Sequence, residues 1–316
     1  MRAAVDETRT DSPAGAGDPA ARRPPRGPLL APLLVVALAF SFQSGSALAT
    51  RVIAGVGVLD ALWLRTAIAA VILVGLRPRS LRLPPRELRL TVGLLALSLL
   101  GMNLSFYGAI SVAPLGVVVA VEFVGPLAVA VADSRRAVDL VWVALAGAGI
   151  VALAGPSGSI GAAGLVLALS AGLFWGIYLV LARRAVRTLD PLHATTLMIV
   201  GSSIVLTVLA APLAPRMVRH PADVGLGVVV ALLSTALPYF LELVALRLVR
   251  AATYGVLLSL EPAVAALTGF VIAGQTLGAL DVAAIVTVMV AAAGASWRAV
   301  SGRRPPEPSD VGAAPL

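Results

Sequence analysis

Two glutamates sit where a charge is expensive. Glu122 lies in Val121-Glu122-Phe123-Val124-Gly125-Pro126 and Glu261 in Leu257-Leu258-Ser259-Leu260-Glu261-Pro262, both within long apolar stretches. A charge at the centre of a membrane helix costs about 2.5–3.5 kcal/mol on insertion scales, so each glutamate needs a partner or a cavity. Aligned on their prolines the two differ by three residues, which leaves them within about 60° on a helix of 3.6 residues per turn. Both can therefore face one cavity. A carboxyl group kept from water holds a proton readily and could trade it against an ammonium group. The plainer reading is a carboxylate that accepts hydrogen bonds from a neighbouring helix and pins it. Pro126 and Pro262 each lack an N–H and so free a carbonyl near the glutamate. Such breaks often line cavities in transporters, although an ordinary kink would read the same.

Arg65 is a cation inside an apolar run, with Asp60 five residues earlier. Five residues turn a helix through about 500°, so a direct pair between them is not expected. Arg65 has two readings: a fork for a substrate carboxylate, or the partner of a glutamate from another helix. Gln43, Asn103, Tyr107, Trp175, Tyr178, Tyr239, Glu242 and Tyr254 are the remaining polar and aromatic candidates for a lining. They supply acceptors for an ammonium and donors for a carboxylate, and equally they could serve as interfacial anchors and interhelical hydrogen bonds. There is no Cys, and the two His, His193 and His220, are far apart. Disulfides, thiolate sites and a histidine metal pair are thus excluded or unsupported, and no cofactor is expected. No nucleophile or acid–base cluster suits a lipid enzyme, and no phosphate loop suits a pump, so an enzyme is not expected.

Hydrophobic residues make up 59% of the 316 and charged residues 13%, with a mean hydropathy of +0.96. A soluble domain carries about 25% charged residues, too many more for a water-facing surface to be built here. Apolar runs long enough for a bilayer core of about 30 Å fall at 30–49, 54–76, 88–109, 113–132, 138–155, 161–182, 192–212, 223–245, 251–273 and 279–298. The expected fold is therefore an all-α integral membrane protein of ten transmembrane helices. Residues 1–28 and 301–316 are rich in Pro, Ala and Arg and read as disordered tails. Ala47-Leu48-Ala49 mimics a signal cleavage site, but the leader is long and Gln43 interrupts it, so cleavage is not expected.

All 24 basic residues are Arg. With the N-terminus in the cytoplasm, Arg77, Arg79, Arg82, Arg86, Arg89, Arg135, Arg136, Arg183, Arg184, Arg187, Arg247, Arg250, Arg298 and both arginine-rich tails fall inside. Outside fall only Arg51, Arg216 and Arg219. That asymmetry places both termini in the cytoplasm. It also accounts for the net charge of +8 without nucleic acid.

The two glutamate–proline stretches sit in the fourth and ninth spans, and Ser44-Gly45 in the first lines up with Trp175-Gly176 in the sixth. If five spans make a unit, 29–155 and 156–300 are two repeats of inverted topology with a site near the midplane between them. Phe42-Gln43-Ser44-Gly45, Pro114-Leu115-Gly116, Glu122-Phe123-Val124-Gly125-Pro126, Ser134-Arg135-Arg136, Ser234-Thr235-Ala236-Leu237-Pro238-Tyr239 and Ser259-Leu260-Glu261-Pro262-Ala263 together resemble the EamA family of the drug/metabolite transporter superfamily. The likeness runs over roughly 30–298. It implies ten helices in two inverted five-helix repeats around a central cavity. It further implies secondary export of small amino acids of the threonine and homoserine kind across a bacterial inner membrane, with protons as the exchanged ion. Export of another small metabolite or drug is the alternative.

Overall fold

The computed structural model describes residues 30–134, 138, 140–210, 221–248 and 251–301. The two tails, Arg135, Arg136 and the basic segment 211–220 lie outside the described residues. Every regular element described is helical: α1 (Leu30–Val56), α2 (Val58–Leu76), α3 (Arg86–Ile110), α4 (Leu115–Glu122), α5 (Val124–Ser134), α6 (Leu140–Ala154) and α7 (Ala162–Ala185). There follow α8 (Pro191–Ala210), α9 (Pro221–Ala231), α10 (Leu237–Leu248), α11 (Ala251–Leu258), α12 (Glu261–Ala273) and α13 (Ala279–Ser301).

Among the described residues nine helical segments are long and apolar enough to cross a membrane, counting α4 with α5, α9 with α10, and α11 with α12 as one crossing each. The expected fifth span is shorter: α6 has 15 residues, about 22 Å at 1.5 Å per residue. Several expected ends also move. The first span was expected to stop at 49, before Arg51, yet α1 runs on to Val56. Arg51 can remain in the helix because its Nη2 donates to the carbonyl of Ile272 at 2.8 Å, in the last turn of α12, where carbonyls lack helical partners and favour a cation.

The side chains are distributed in the sense a bilayer requires. Val71, Leu90, Val151, Val208 and Phe270 lie exposed on the outside, whereas Gln43, Arg65, Asn103, Glu122, Glu242 and Glu261 are buried. A surface so apolar has hydrocarbon as its solvent. The basic residues Arg77, Arg79 and Arg82 lie exposed between α2 and α3, and Arg86 and Arg89 lie exposed in the first turn of α3. There Arg77 pairs with Asp190 at 3.1 Å, tying the end of α2 to the start of α8.

Helices α1 and α7 take matching places in the bundle. The first packs on α12 and on the α9–α10 crossing, and the second packs on α4, α5 and α3. The pairs α2–α8, α4–α12 and α6–α13 also meet. Small residues let backbones approach at these seams. A Cβ on Gly116 would sit 2.8 Å from the Ala266 Cα, and one on Gly125 would sit 1.9 Å from the Gly172 carbonyl oxygen.

Gly125 and Gly147 therefore separate by measurement. Gly125→Ala must push α5 off α7 and is expected to lower stability by about 1–3 kcal/mol. Gly147→Ala, with no atom within 4 Å of the added carbon, is expected to be neutral or stabilising by about 0.5–1 kcal/mol. Thermal unfolding of both variants in detergent checks the contrast.

Candidate functional site

Among the described residues three of the membrane crossings are interrupted, and each interruption has a proline at its edge. The fourth expected span breaks at Phe123, so Glu122 ends α4 and Pro126 stands in the first turn of α5. The ninth breaks at Ser259-Leu260, so Glu261 opens α12 with Pro262 beside it. The two glutamates thus flank their breaks from opposite sides, which is what their three-residue offset from the prolines means in space. Pro126 has no N–H to return to the Glu122 carbonyl. That carbonyl instead presses on α7, where a Cβ on Gly172 would lie 2.5 Å from it.

The third interruption is a wide turn at Leu232–Ala236, between α9 and α10, in which the Leu237 N–H reaches back to the Leu232 carbonyl. This i→i+5 bond is a π-bulge. With Pro238 next and lacking an N–H, the carbonyls of Leu233 and Ser234 lose their helical donors. Ser41 Oγ donates to the Leu233 carbonyl at 2.7 Å, and Arg65 Nη1 donates to the Ser234 carbonyl and to Ser234 Oγ, both at 3.1 Å. A Cβ on Gly45 would lie 2.7 Å from the Ser234 nitrogen, so α1 lies directly against the bulge. The sequence reading missed Pro238 and Ser234 as parts of the site. Their signal was available: a proline four residues after a serine frees that serine's carbonyl.

Between these breaks lies a cavity of about 30 Å³, lined by Leu38, Phe42, Met102, Asn103, Phe106, Glu122, Trp175, Pro238, Tyr239, Glu242, Tyr254, Leu258 and Glu261. It has room for two or three water molecules. Of the residues expected to line a cavity, Asn103, Glu122, Trp175, Tyr239, Glu242, Tyr254 and Glu261 do so directly. Gln43 stands behind Glu261 and donates from Nε2 to its Oε1 at 2.9 Å. Tyr178 and Tyr254 donate their hydroxyls to the two oxygens of Glu242, at 2.9 and 3.0 Å. Glu122 has no hydrogen-bond partner among the described residues. The hydrophobic walls were not legible beforehand, because an apolar residue in a span looks alike whether it faces lipid or cavity.

Arg65 occupies a neighbouring chamber of about 10 Å³. It was expected either to take a substrate carboxylate or to pair with a glutamate of another helix. Among the described residues no glutamate bonds to it. Its Nη2 donates to Asn103 Oδ1, and its guanidinium stacks over the Tyr107 ring, with Cζ 4.4 Å from the centroid. Arg65 Nε is buried and carries no bond. Tyr239 donates to the same Asn103 oxygen at 3.1 Å, and Asn103 and Tyr239 line both chambers. The acidic chamber and the basic one are thus separated by two side chains. Among the described residues no group of His, Asp and Glu is placed to hold a metal ion.

The sequence profile of the EamA-like transporter family matches residues 162–297. The threonine/homoserine exporter RhtA of Salmonella typhimurium (strain LT2) is 38% identical over 292 residues, covering 90% of this chain and 96% of the relative. RhtA of Escherichia coli (strain K12) is 38% identical over 271 residues, covering 84% and 90%. One crystal structure superposes with a TM-score of 0.57 at 18% identity, over 87% of this chain and 99% of that one, and it carries the likeness of fold alone.

The bulge makes a prediction of its own. Arg65→Met leaves the Ser234 carbonyl buried without a donor and is expected to cost about 1–3 kcal/mol. Adding Pro238→Ala restores an N–H at the right spacing and should recover part of that loss. A double-mutant cycle by unfolding in mixed micelles reads the coupling.

Proposed function

The chain belongs to the EamA-like transporter family, and on that premise we propose that it is a secondary exporter of small amino acids of the threonine and homoserine type, working by exchange for protons. The observation that carries this reading is the pairing of chambers. Glu122, Glu242 and Glu261 line one, Arg65 lies in the other, and Asn103 and Tyr239 belong to both. An amino acid is a zwitterion whose charges lie a few ångströms apart. Its ammonium suits the acidic chamber and its carboxylate suits the guanidinium, whose fork geometry favours a carboxylate. Three negative charges gathered out of water repel one another strongly. The site therefore calls for cations, either protons or an ammonium, and alternation between the two is antiport.

Gln43, Tyr107 and Tyr178 hold the charged groups from behind, while Trp175 and Tyr254 wall the chamber. Movement of helices would admit and release the substrate, and the interruptions beside Pro126 and Pro262 are natural hinge points.

The architecture we assign is ten spans, with α6 as the fifth, in two inverted repeats over 29–155 and 156–300. The packing supports it: α1 against α9–α10 is matched by α7 against α3, and α2–α8, α4–α12 and α6–α13 meet as like with like. The exposed arginines between α2 and α3 favour an inner-membrane protein with both termini in the cytoplasm. The aromatic wall of Phe42, Phe106 and Trp175 favours a second reading, a larger amphipathic cation as cargo.

Efflux of labelled threonine and homoserine from loaded proteoliposomes, with and without an imposed proton gradient, tests the reading. Wild type should release both faster under the gradient. Glu122→Gln, which removes a charged partner worth about 1.5–3 kcal/mol, should slow efflux roughly tenfold or more. Release no faster than from empty liposomes would refute the substrate assignment, and an aromatic or quaternary amine that does move would favour the second reading.

A further inference from the structure

The three carboxylates in the acidic chamber are not equivalent. Glu242 has a phenol hydroxyl on each oxygen. Glu122 opens on the cavity. Glu261 is half-satisfied: its Oε1 accepts from Gln43 Nε2 at 2.9 Å, and its Oε2 is buried with no partner. The same pair holds a second deficit, because Gln43 Oε1 is also buried with no partner. An ionised carboxylate and an amide oxygen are acceptors only, so these two orphans cannot answer each other. Buried acceptors left without a donor are rare in native interiors.

One proton removes both deficits. On Glu261 Oε2 it converts an acceptor into a donor, and the amide oxygen of the partner already bound is the acceptor it lacks. A planar carboxyl group and a planar amide joined this way form a cyclic acid–amide pair, with N–H···O on one side and O–H···O on the other.

The neighbours point the same way. The titratable groups facing Glu261 are Glu122 at the end of α4, Glu242 from α10 and Tyr254 from α11. From α1 comes Gln43, and Arg51 of that helix is engaged at the far end of α12 with Ile272. On α13, Asp281 accepts from the Gly278 N–H. Arg65 is held beyond Asn103 by the Ser234 bulge. Two acids and a phenol therefore surround Glu261, and none of them balances its negative charge.

We propose that Glu261 is the group that carries the exchanged proton, and that Gln43 is the positioning residue that holds it in the protonated form as a cyclic acid–amide pair. On ionisation Glu261 gives up the proton from Oε2 to water entering the cavity and keeps the single bond from Gln43. On reprotonation the ring closes. What the proton is exchanged for rests on the exporter reading above; the pair itself does not.

Infrared difference spectroscopy tests the pair on the whole protein in lipid nanodiscs, taken between acid and alkaline buffer with no substrate present. Wild type should lose a carboxylic-acid C=O band on alkalinisation, together with a change in a glutamine amide band. Glu261→Gln should abolish that carboxyl band. Gln43→Leu should move it to the position of an acid without a hydrogen-bonded partner. The exchange Gln43→Glu with Glu261→Gln preserves the chemistry of the pair and the size of both side chains, and should restore the coupled bands. Persistence of the band in Glu261→Gln would put the proton on another carboxyl and overturn the proposal. So would a band indifferent to Gln43→Leu, or one removed by sodium at constant pH. Threonine plays no part in this readout. A failed exporter reading would show instead as silent vesicles with these bands intact.

Discussion

Hydrocarbon offers no hydrogen bonds, so a backbone carbonyl that loses its helical donor inside a membrane must find another within the protein. That constraint organises this molecule. Among the described residues three helix interruptions each lie beside a proline, and at two of them the freed carbonyls shape what surrounds them. The Glu122 carbonyl draws a glycine-bearing face of α7 against it. The Leu233 and Ser234 carbonyls take Ser41 from α1 and Arg65 from α2. A buried guanidinium is tolerated in the interior because the bulge supplies acceptors for it. The side chains that could act on a substrate are placed by the same breaks: Glu122 ends a helix and Glu261 begins one, so two carboxylates from distant stretches of chain reach one chamber.

From this follows a division of charge. Acidic groups gather on one side of Asn103 and Tyr239 and the single guanidinium on the other, a polarity that matches a zwitterion. Tyr178 and Tyr254 hold Glu242 from two further helices; Phe42 and Phe106 pack with tilted rings, and Phe123 meets the Trp175 wall edge to face. Burial of these groups strengthens the electrostatic interactions between them.

Much of the fold was legible because membrane helices announce themselves by length and hydropathy. The expected spans overlay the observed helices to within a few residues at most ends. One departure has a physical cause: α1 continues past Arg51 because the Ile272 carbonyl accepts a hydrogen bond from its guanidinium. Glu122 and Glu261 were readable because a charge beside a proline in an apolar stretch demands explanation. Their surroundings were not. Gln43 and Glu261 are 218 residues apart, and no local pattern announces such a pair. Pro238 was visible as part of a motif, but the bulge it completes becomes apparent only when the carbonyl it frees is seen to hold Arg65. Leu38, Phe106 and Leu258 look like lipid-facing residues until the helices are assembled.

The central claim is that the substrate's ammonium group sits among the cavity carboxylates. Solid-state NMR on the protein in lipid, with ¹⁵N-labelled threonine bound and glutamate carboxyl carbons labelled with ¹³C, tests it most directly by dipolar recoupling between the two. Dephasing of glutamate carboxyl signals by the threonine nitrogen, altered in Glu122→Gln, is the result the account predicts. Bound threonine that leaves every glutamate carboxyl signal untouched would contradict it.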